Sequence, residues 1–209
     1  HHTDPCHPTP GSPEVFSQPP SRDPFPETFD RGLRILSVSR QSREKSIDRL
    51  VRIFAAYVEP LFPQASLTLV GDGPEHQKLM DLAERLGVAH RVHFPGAVPQ
   101  AQLVDYYYNA DVFSYASLSE TFGCVMSEAA WCGLPLVAFD DRMGVAHQVH
   151  DHENGYLVPT MGFDDRDADL AFGRSLSTLL ADSQLRLELA DSAKQIARRD
   201  YSPERIVQL

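Results

Sequence analysis

From Leu33 onward the chain alternates short apolar runs with amphipathic stretches, and no other feature restricts its fold so tightly. The runs Leu33–Ser39, Ser66–Gly71, Arg91–Phe94, Asp111–Ala116, Pro135–Phe139 and Gly155–Val158 show little polar alternation. Strands covered on both faces of a parallel sheet read this way. After the first run, Ile47, Leu50, Val51, Phe54 and Val58 follow helical spacing, as do Leu79, Leu82, Ala83 and Leu86 after the second. Such stripes pack a helix onto a sheet. Two more helical stretches are predicted over Asp167–Ala181, with Phe172, Leu176, Leu179 and Leu180, and over Gln184–Arg199, with Leu185, Leu189, Ala193 and Ile196. The rhythm predicts an α/β fold over residues 32–209, a doubly wound, parallel, six-stranded sheet of Rossmann-like type with helices on both faces. In such a sheet ligands bind outside the carboxyl ends of the strands.

Residues 1–31 differ in texture. Eight of the 16 prolines fall before residue 27, so this segment reads as a proline-rich linker or interdomain segment. His1, His2, Cys6 and His7 lie within it, but an open segment offers no preformed cage for a metal. With 19 basic and 29 acidic residues the chain carries a formal charge of −10, opposite to the footprint of a nucleic-acid binder. The longest apolar stretch, Trp131 to Phe139, is interrupted by Gly133 and Pro135, too short and broken for a membrane span. The start of the chain lacks the basic-then-apolar build of a signal peptide. Cys124 and Cys132 would stand about 12 Å apart on one helix, too far for a disulfide, which favours reduced thiols and a cytoplasmic setting.

Four strand-to-helix loops carry more than turn chemistry. Ser39 to Ser46 places Arg40 and Lys45 between a strand end and a helix start, where a diphosphate would be stabilised. Gly71-Asp72-Gly73-Pro74-Glu75 has two glycines that admit positive φ and close approach to a ligand, without the spacing of a dinucleotide fingerprint or a phosphate loop. Phe94 to Pro99 is a proline-bounded turn that could offer a flat edge to a base. The fourth runs from Ser117 through Gly123 into a helix from Cys124, closed by Gly133. Glu120 and Glu128 would be about 12 Å apart along it. That exceeds the roughly 5–9.5 Å of paired glycosidase carboxyls and suits one carboxylate at each end of an extended sugar–diphosphate–ribose.

These residues resemble retaining glycosyltransferases of family 4, which have the GT-B fold. The resemblance rests on Glu120 through Glu128 as the Glu-x7-Glu motif, on Arg40 with Glu44-Lys45, and on Leu69 to Pro74. Val92 to Val98, Tyr107 to Phe113 and Asn154 to Pro159 extend it, so that it covers about residues 33–205. Ser39 stands where the family usually has Gly, and Tyr115-Ala116 replace a frequent proline. The resemblance implies the carboxyl-terminal, donor-binding half of such an enzyme. Arg40 and Lys45 would neutralise the donor diphosphate, and Glu128 would hold the ribose hydroxyls. Glu120, with the backbone of Thr121, Phe122, Gly123, Cys124 and Val125, would hold the transferred sugar and phosphate. The loop of Gly71 and Asp72, with Val98, would line the nucleoside pocket. It implies a nucleotide-diphosphate sugar as donor, no metal or other cofactor, and an acceptor held by an amino-terminal domain that this chain lacks. Any peripheral membrane contact would fall to that domain, and glycosyl transfer is not expected of the chain alone.

Three other readings compete. Asp165-x-Asp167 or Asp167-x-Asp169 would serve a metal-dependent transferase, but acidic residues in a first helical turn also simply oppose the dipole. A nucleotide-sugar epimerase or a phosphorylase half shares the architecture without the Arg–Lys and Glu-x7-Glu combination. A non-catalytic nucleotide-sugar-binding or scaffold module is the alternative that survives. His147, His150 and His152 are expected on a helix face rather than in catalysis.

Overall fold

The computed structural model describes residues 16–118 and 124–201. Six strands form one all-parallel sheet: β1 (Arg34–Val38), β2 (Ser66–Val70), β3 (Val92–Gly96), β4 (Val112–Tyr115), β5 (Leu136–Phe139) and β6 (Gly155–Val158), in the order β3-β2-β1-β4-β5-β6. Five lie within the apolar runs that place them, and β3 runs two residues past its expected end, taking in Pro95 and Gly96 of the expected turn. The chain winds outward from β1 through β2 to β3, crosses back to β4 beside β1, and winds outward again. The switch point therefore lies between β1 and β4, where Ile35 pairs with Leu67 on one side and Val112 on the other.

Neighbouring strand residues point to opposite faces. On one face Ile35, Leu67, Leu69, Val137 and Phe139 meet α1 (Ile47–Ile53), α2 (His76–Arg85) and α6 (Asp165–Ala181). On the other, Leu36, Val70, Leu136 and Ala138 meet α3 (Gln100–Asn109), α4 (Cys124–Trp131), α5 (Gly144–Gln148) and α7 (Ser183–Asp200). Helix α1 runs on into a π turn, Phe54–Val58, in which the Glu59 amide reaches the Phe54 carbonyl at 2.9 Å. Its stripe is buried as the spacing predicts. Leu86 departs from its stripe: α2 stops at Arg85, Gly87 turns the chain at φ +74°, and Leu86 remains partly exposed. Helix α6 starts two residues earlier than expected because Asp164 caps it, accepting the Asp167 amide at 2.8 Å; Asp182 caps α7 the same way. Asp165 and Asp169 both pair with Arg49.

The linker expectation needs correction for residues 16–31. Phe16, Phe25 and Phe29 are buried against the second face, Phe16 edge-on to Tyr107 and Phe25 edge-on to Tyr106. The buried Arg34 guanidinium donates to the Phe29 carbonyl and to Asp23, while Asp105 accepts the Ser21 amide at 2.7 Å. Three aromatic side chains bury enough apolar area to hold a segment whose prolines already restrict it. His1, His2, Cys6 and His7 lie outside the described residues. Among the described residues no helix is long and apolar enough to cross a membrane.

Candidate active site

The loops leaving β1, β2, β3 and β4 gather at the carboxyl edge of the sheet, on either side of the switch point. After β1, Arg40 is exposed, and Gln41 is wholly buried and fastens this loop to the next. The Gln41 amide donates to the Asp72 carbonyl at 2.9 Å and its carbonyl accepts the Glu75 amide at 2.9 Å. Its side chain donates to the Leu69 carbonyl and accepts from His76 Nδ1 at 2.6 Å. Sequence reasoning gave Gln41 no role; a polar residue between Arg40 and Ser42 looks like any loop residue until β2 is placed beside β1.

This contact corrects the reading of the glycines. A Cβ on Gly71, at φ +132°, would run into the Ser39 carbonyl, and one on Gly73 would run into the Gln41 backbone. Both therefore admit the neighbouring loop, and Gly73 does not take positive φ. The Gly71 amide donates to the Gly96 carbonyl at 2.9 Å, which draws in the β3 loop carrying Val98. Val98 is half-buried against the hydrophobic core of the second face. Asp72 is exposed, and its carboxylate accepts the Gly73 amide at 2.7 Å.

Lys45 closes a short 3-10 turn, Arg43–Lys45, and Ser46 at φ 52° separates that turn from α1. The two cations thus precede the helix instead of sitting in its first turn. The Ser42 hydroxyl donates to Glu44 at 2.6 Å and chiefly holds that carboxyl below its ordinary value, aided by the charges of Lys45 and Arg40. Across the switch point the Ser117 hydroxyl donates to the Glu44 carbonyl at 3.3 Å, tying the β4 loop to the β1 loop.

Glu120, Thr121, Phe122 and Gly123 lie outside the described residues. Cys124 opens α4, Val125 packs partly buried against the second face, and Glu128 follows one turn on. Burial pushes the Glu128 carboxyl up to about 7, against a hydrogen bond from the Tyr107 hydroxyl to Oε2 at 2.8 Å that favours the charged form. Cys132 is pushed up to about 12, first by burial and then by the Glu128 charge, so its thiol stays neutral. Tyr107 stands in the run Tyr106-Tyr107-Tyr108, and the sequence alone does not say which hydroxyl reaches α4.

His147 lies on α5 as expected, whereas His150 and His152 do not lie on a helix. They sit in the turn before β6, where the buried Asn154 accepts the His150 amide at 2.8 Å and donates to the Gln148 carbonyl at 3.0 Å. A Cβ on Gly155 would strike the Leu136 backbone. The Asn154-Gly155 pair is thus explained by architecture.

The arrangement brings Arg40, Lys45, Gly71, Asp72, Val98 and the α4 residues to one edge of the sheet, with cations on one side of the switch point and a carboxylate on the other. The sequence model of the family described as glycosyl transferases group 1 matches residues 22–196. The chain belongs to this family. It is 29% identical over 175 residues to an uncharacterized glycosyltransferase of Haemophilus influenzae, which covers 83% of this chain and 46% of that protein. It is 32% identical over 142 residues, 68% of this chain and 27% of the relative, to the GtfA subunit of a UDP-N-acetylglucosamine–peptide N-acetylglucosaminyltransferase of Streptococcus parasanguinis. Among solved structures, Anabaena HepE in complex with UDP-glucose superposes with a TM-score of 0.72 at 26% identity, over 84% of this chain and 46% of that one. The fold is that of GT-B glycosyltransferases. The chain spans less than half the length of these two curated relatives.

Proposed function

We propose that this group 1 glycosyltransferase chain is the donor-binding half of a retaining, metal-independent enzyme of family 4. It would work in the cytoplasm and move a hexosyl group from a nucleoside diphosphate sugar to an acceptor held by an amino-terminal domain. The observation that carries the reading is the division of charge at the switch point, with Arg40 and Lys45 after β1 and the Glu128 carboxyl on α4 after β4. Glu128 accepts ribose hydroxyls, the Gly71–Asp72 loop and Val98 line the base, and Glu120 with the backbone from Thr121 to Val125 holds the sugar and its phosphate. In the transfer the bond between the anomeric carbon and the diphosphate oxygen breaks. The acceptor oxygen bonds to the same face of that carbon, and its proton passes to the donor phosphate. Charge grows on the leaving diphosphate, and the fixed cations Arg40 and Lys45 lower the barrier by stabilising it.

A thermal-shift panel with UDP, GDP, ADP and their sugar conjugates tests this, because a ligand that binds only the folded chain raises its apparent stability. HepE was solved with UDP-glucose, so UDP is the first probe. A base-selective rise that Glu128→Ala abolishes supports the reading. No rise with any nucleotide favours the non-catalytic scaffold module.

A further inference from the structure

Glu128 is the acid in this crevice whose ionisation the fold disturbs most among the described residues, and its surroundings identify what holds it ready. The Tyr107 ring is wholly buried, packed against Phe113 on one side and met edge-on by Phe16 at 5.9 Å between centroids. Its neighbours Tyr106 and Tyr108 are committed elsewhere, Tyr106 to Phe25 and the Tyr108 hydroxyl to the Phe16 carbonyl at 2.6 Å. With its ring clamped between a strand residue and the amino-terminal segment, Tyr107 has few rotamers open to it, and its hydroxyl meets Glu128 Oε2 at 2.8 Å. The other oxygen, Oε1, accepts no hydrogen bond from a described residue.

We propose that Tyr107 is a positioning residue for Glu128: its hydroxyl fixes Oε2 so that Oε1 is presented, in a set orientation, to the ribose hydroxyls of the donor. The inference rests on the reading that Glu128 meets the ribose. Two consequences separate this role from plain packing. A carboxylate tethered at one oxygen has one direction of approach left, so the bond should matter more for a nucleotide bearing both ribose hydroxyls than for its deoxy analogue. The tether also favours the charged form, so removing it should make Glu128 easier to protonate. The ionisable groups on the elements around α4 include Asp105, Tyr106, Tyr107 and Tyr108 on α3, Tyr115 on β4, His147 on α5, Arg186, Glu188, Asp191, Lys194, Arg198, Arg199 and Asp200 on α7, and Cys132 just past the end of α4. Of these, Tyr107 is the group whose hydrogen bond bears on the Glu128 carboxyl.

The test is Tyr107→Phe in the full 209-residue chain, a change that keeps the ring and removes the hydroxyl. In the ligand-free protein the Glu128 side-chain carboxyl is titrated by NMR. Its midpoint is expected to rise by about half a pH unit or more, and an unchanged midpoint overturns the proposal. With UDP and 2′-deoxy-UDP as probes, the preference for UDP is expected to shrink by about threefold or more, the scale of one ordinary hydrogen bond. Glu128→Gln is run alongside. If it leaves that preference at the wild-type value, Glu128 does not meet the ribose, and both the reading and the inference fall. If it removes the preference while Tyr107→Phe alters neither preference nor midpoint, the reading stands and the role of Tyr107 falls. Should Tyr107→Phe unfold the chain, 3-fluorotyrosine in place of Tyr107 keeps the hydroxyl and makes it a stronger donor. The Glu128 midpoint should then fall, and no movement overturns the proposal.

Discussion

Glu128→Gln should stabilise the folded chain above neutral pH, because the fold holds this carboxyl where its charge is costly. Burial lifts it from an ordinary value of 4.5 to about 7, net of the opposing Tyr107 hydrogen bond. At about 1.4 kcal/mol per pH unit the charged form costs about 3 kcal/mol more in the folded chain than in the unfolded one. The sign follows from proton counting. Between 4.5 and about 7 the folded state binds more protons than the unfolded state, so stability from this group is full below that window and lost as pH rises through it. Gln has the shape of the protonated acid and offers Tyr107 a carbonyl acceptor, but carries no charge at any pH. The variant is therefore expected to be more stable by about 1–3 kcal/mol at about pH 8 and nearly equal to wild type at about pH 5. For a chain of this size that is a rise of about 3–10 °C in Tm at the higher pH. Calorimetry at both pH values reads it directly. Equal or lower stability of Glu128→Gln at the higher pH, or the same difference at both, would refute the reasoning. The same substitution should cost nucleotide affinity, so a site that weakens as the scaffold strengthens is the joint signature.

Gly73→Ala should destabilise by about 2 kcal/mol or more, since its Cβ would meet backbone, which has no rotamer to give way; urea denaturation measures this. Lys45→Ala in the whole enzyme should lower turnover at least tenfold by removing charge from beside the leaving diphosphate, and unchanged kcat would remove Lys45 from that role. Burial alone would raise the Asp23 carboxyl, but bonds from Arg34 and the Phe25 amide, with the charges of Arg34 and Arg31, hold it below 3.8. Its stability contribution is therefore present above its unfolded value and lost as pH falls through the folded one. Asp23→Asn should be destabilising at neutral pH by no more than about 1 kcal/mol, since solvent screens this exposed residue, with the gap closing in acid during a pH-stepped melt.

The sheet was legible because strands covered on both faces carry a nearly continuous apolar record, and the stripe Ile47, Leu50, Val51, Phe54 and Val58 marks a helix whether its last turn is α or π. What the sequence hid are relationships between distant residues. Proline count describes residues 16–31 as open chain, whereas Phe16, Phe25 and Phe29 fix them to the second face, and only a sheet partner at hand reveals that. Gly71 and Gly73 look the same in sequence whether they admit a ligand or a neighbouring loop, and Ser39 and Gln41 decide it some 30 residues away. For the candidate site, the positions of Arg40, Lys45 and Glu128 were readable as motif residues. The burial that raises Glu128, and the choice of Tyr107 over its two tyrosine neighbours, depend on how α3 docks against α4.

Gln41 also sets how firmly one side of the crevice is held together. With both its backbone groups and both ends of its side chain tied to residues 69–76, and with Gly71 tied to Gly96, the ends of β1, β2 and β3 form a single rigid jaw. Across the crevice, the Ser117 hydroxyl on the Glu44 carbonyl joins the β4 loop to this jaw. On the proposed reading, the base-facing and phosphate-facing surfaces of these three loops would keep a set mutual distance, so that this half of the crevice would measure a nucleotide like a gauge.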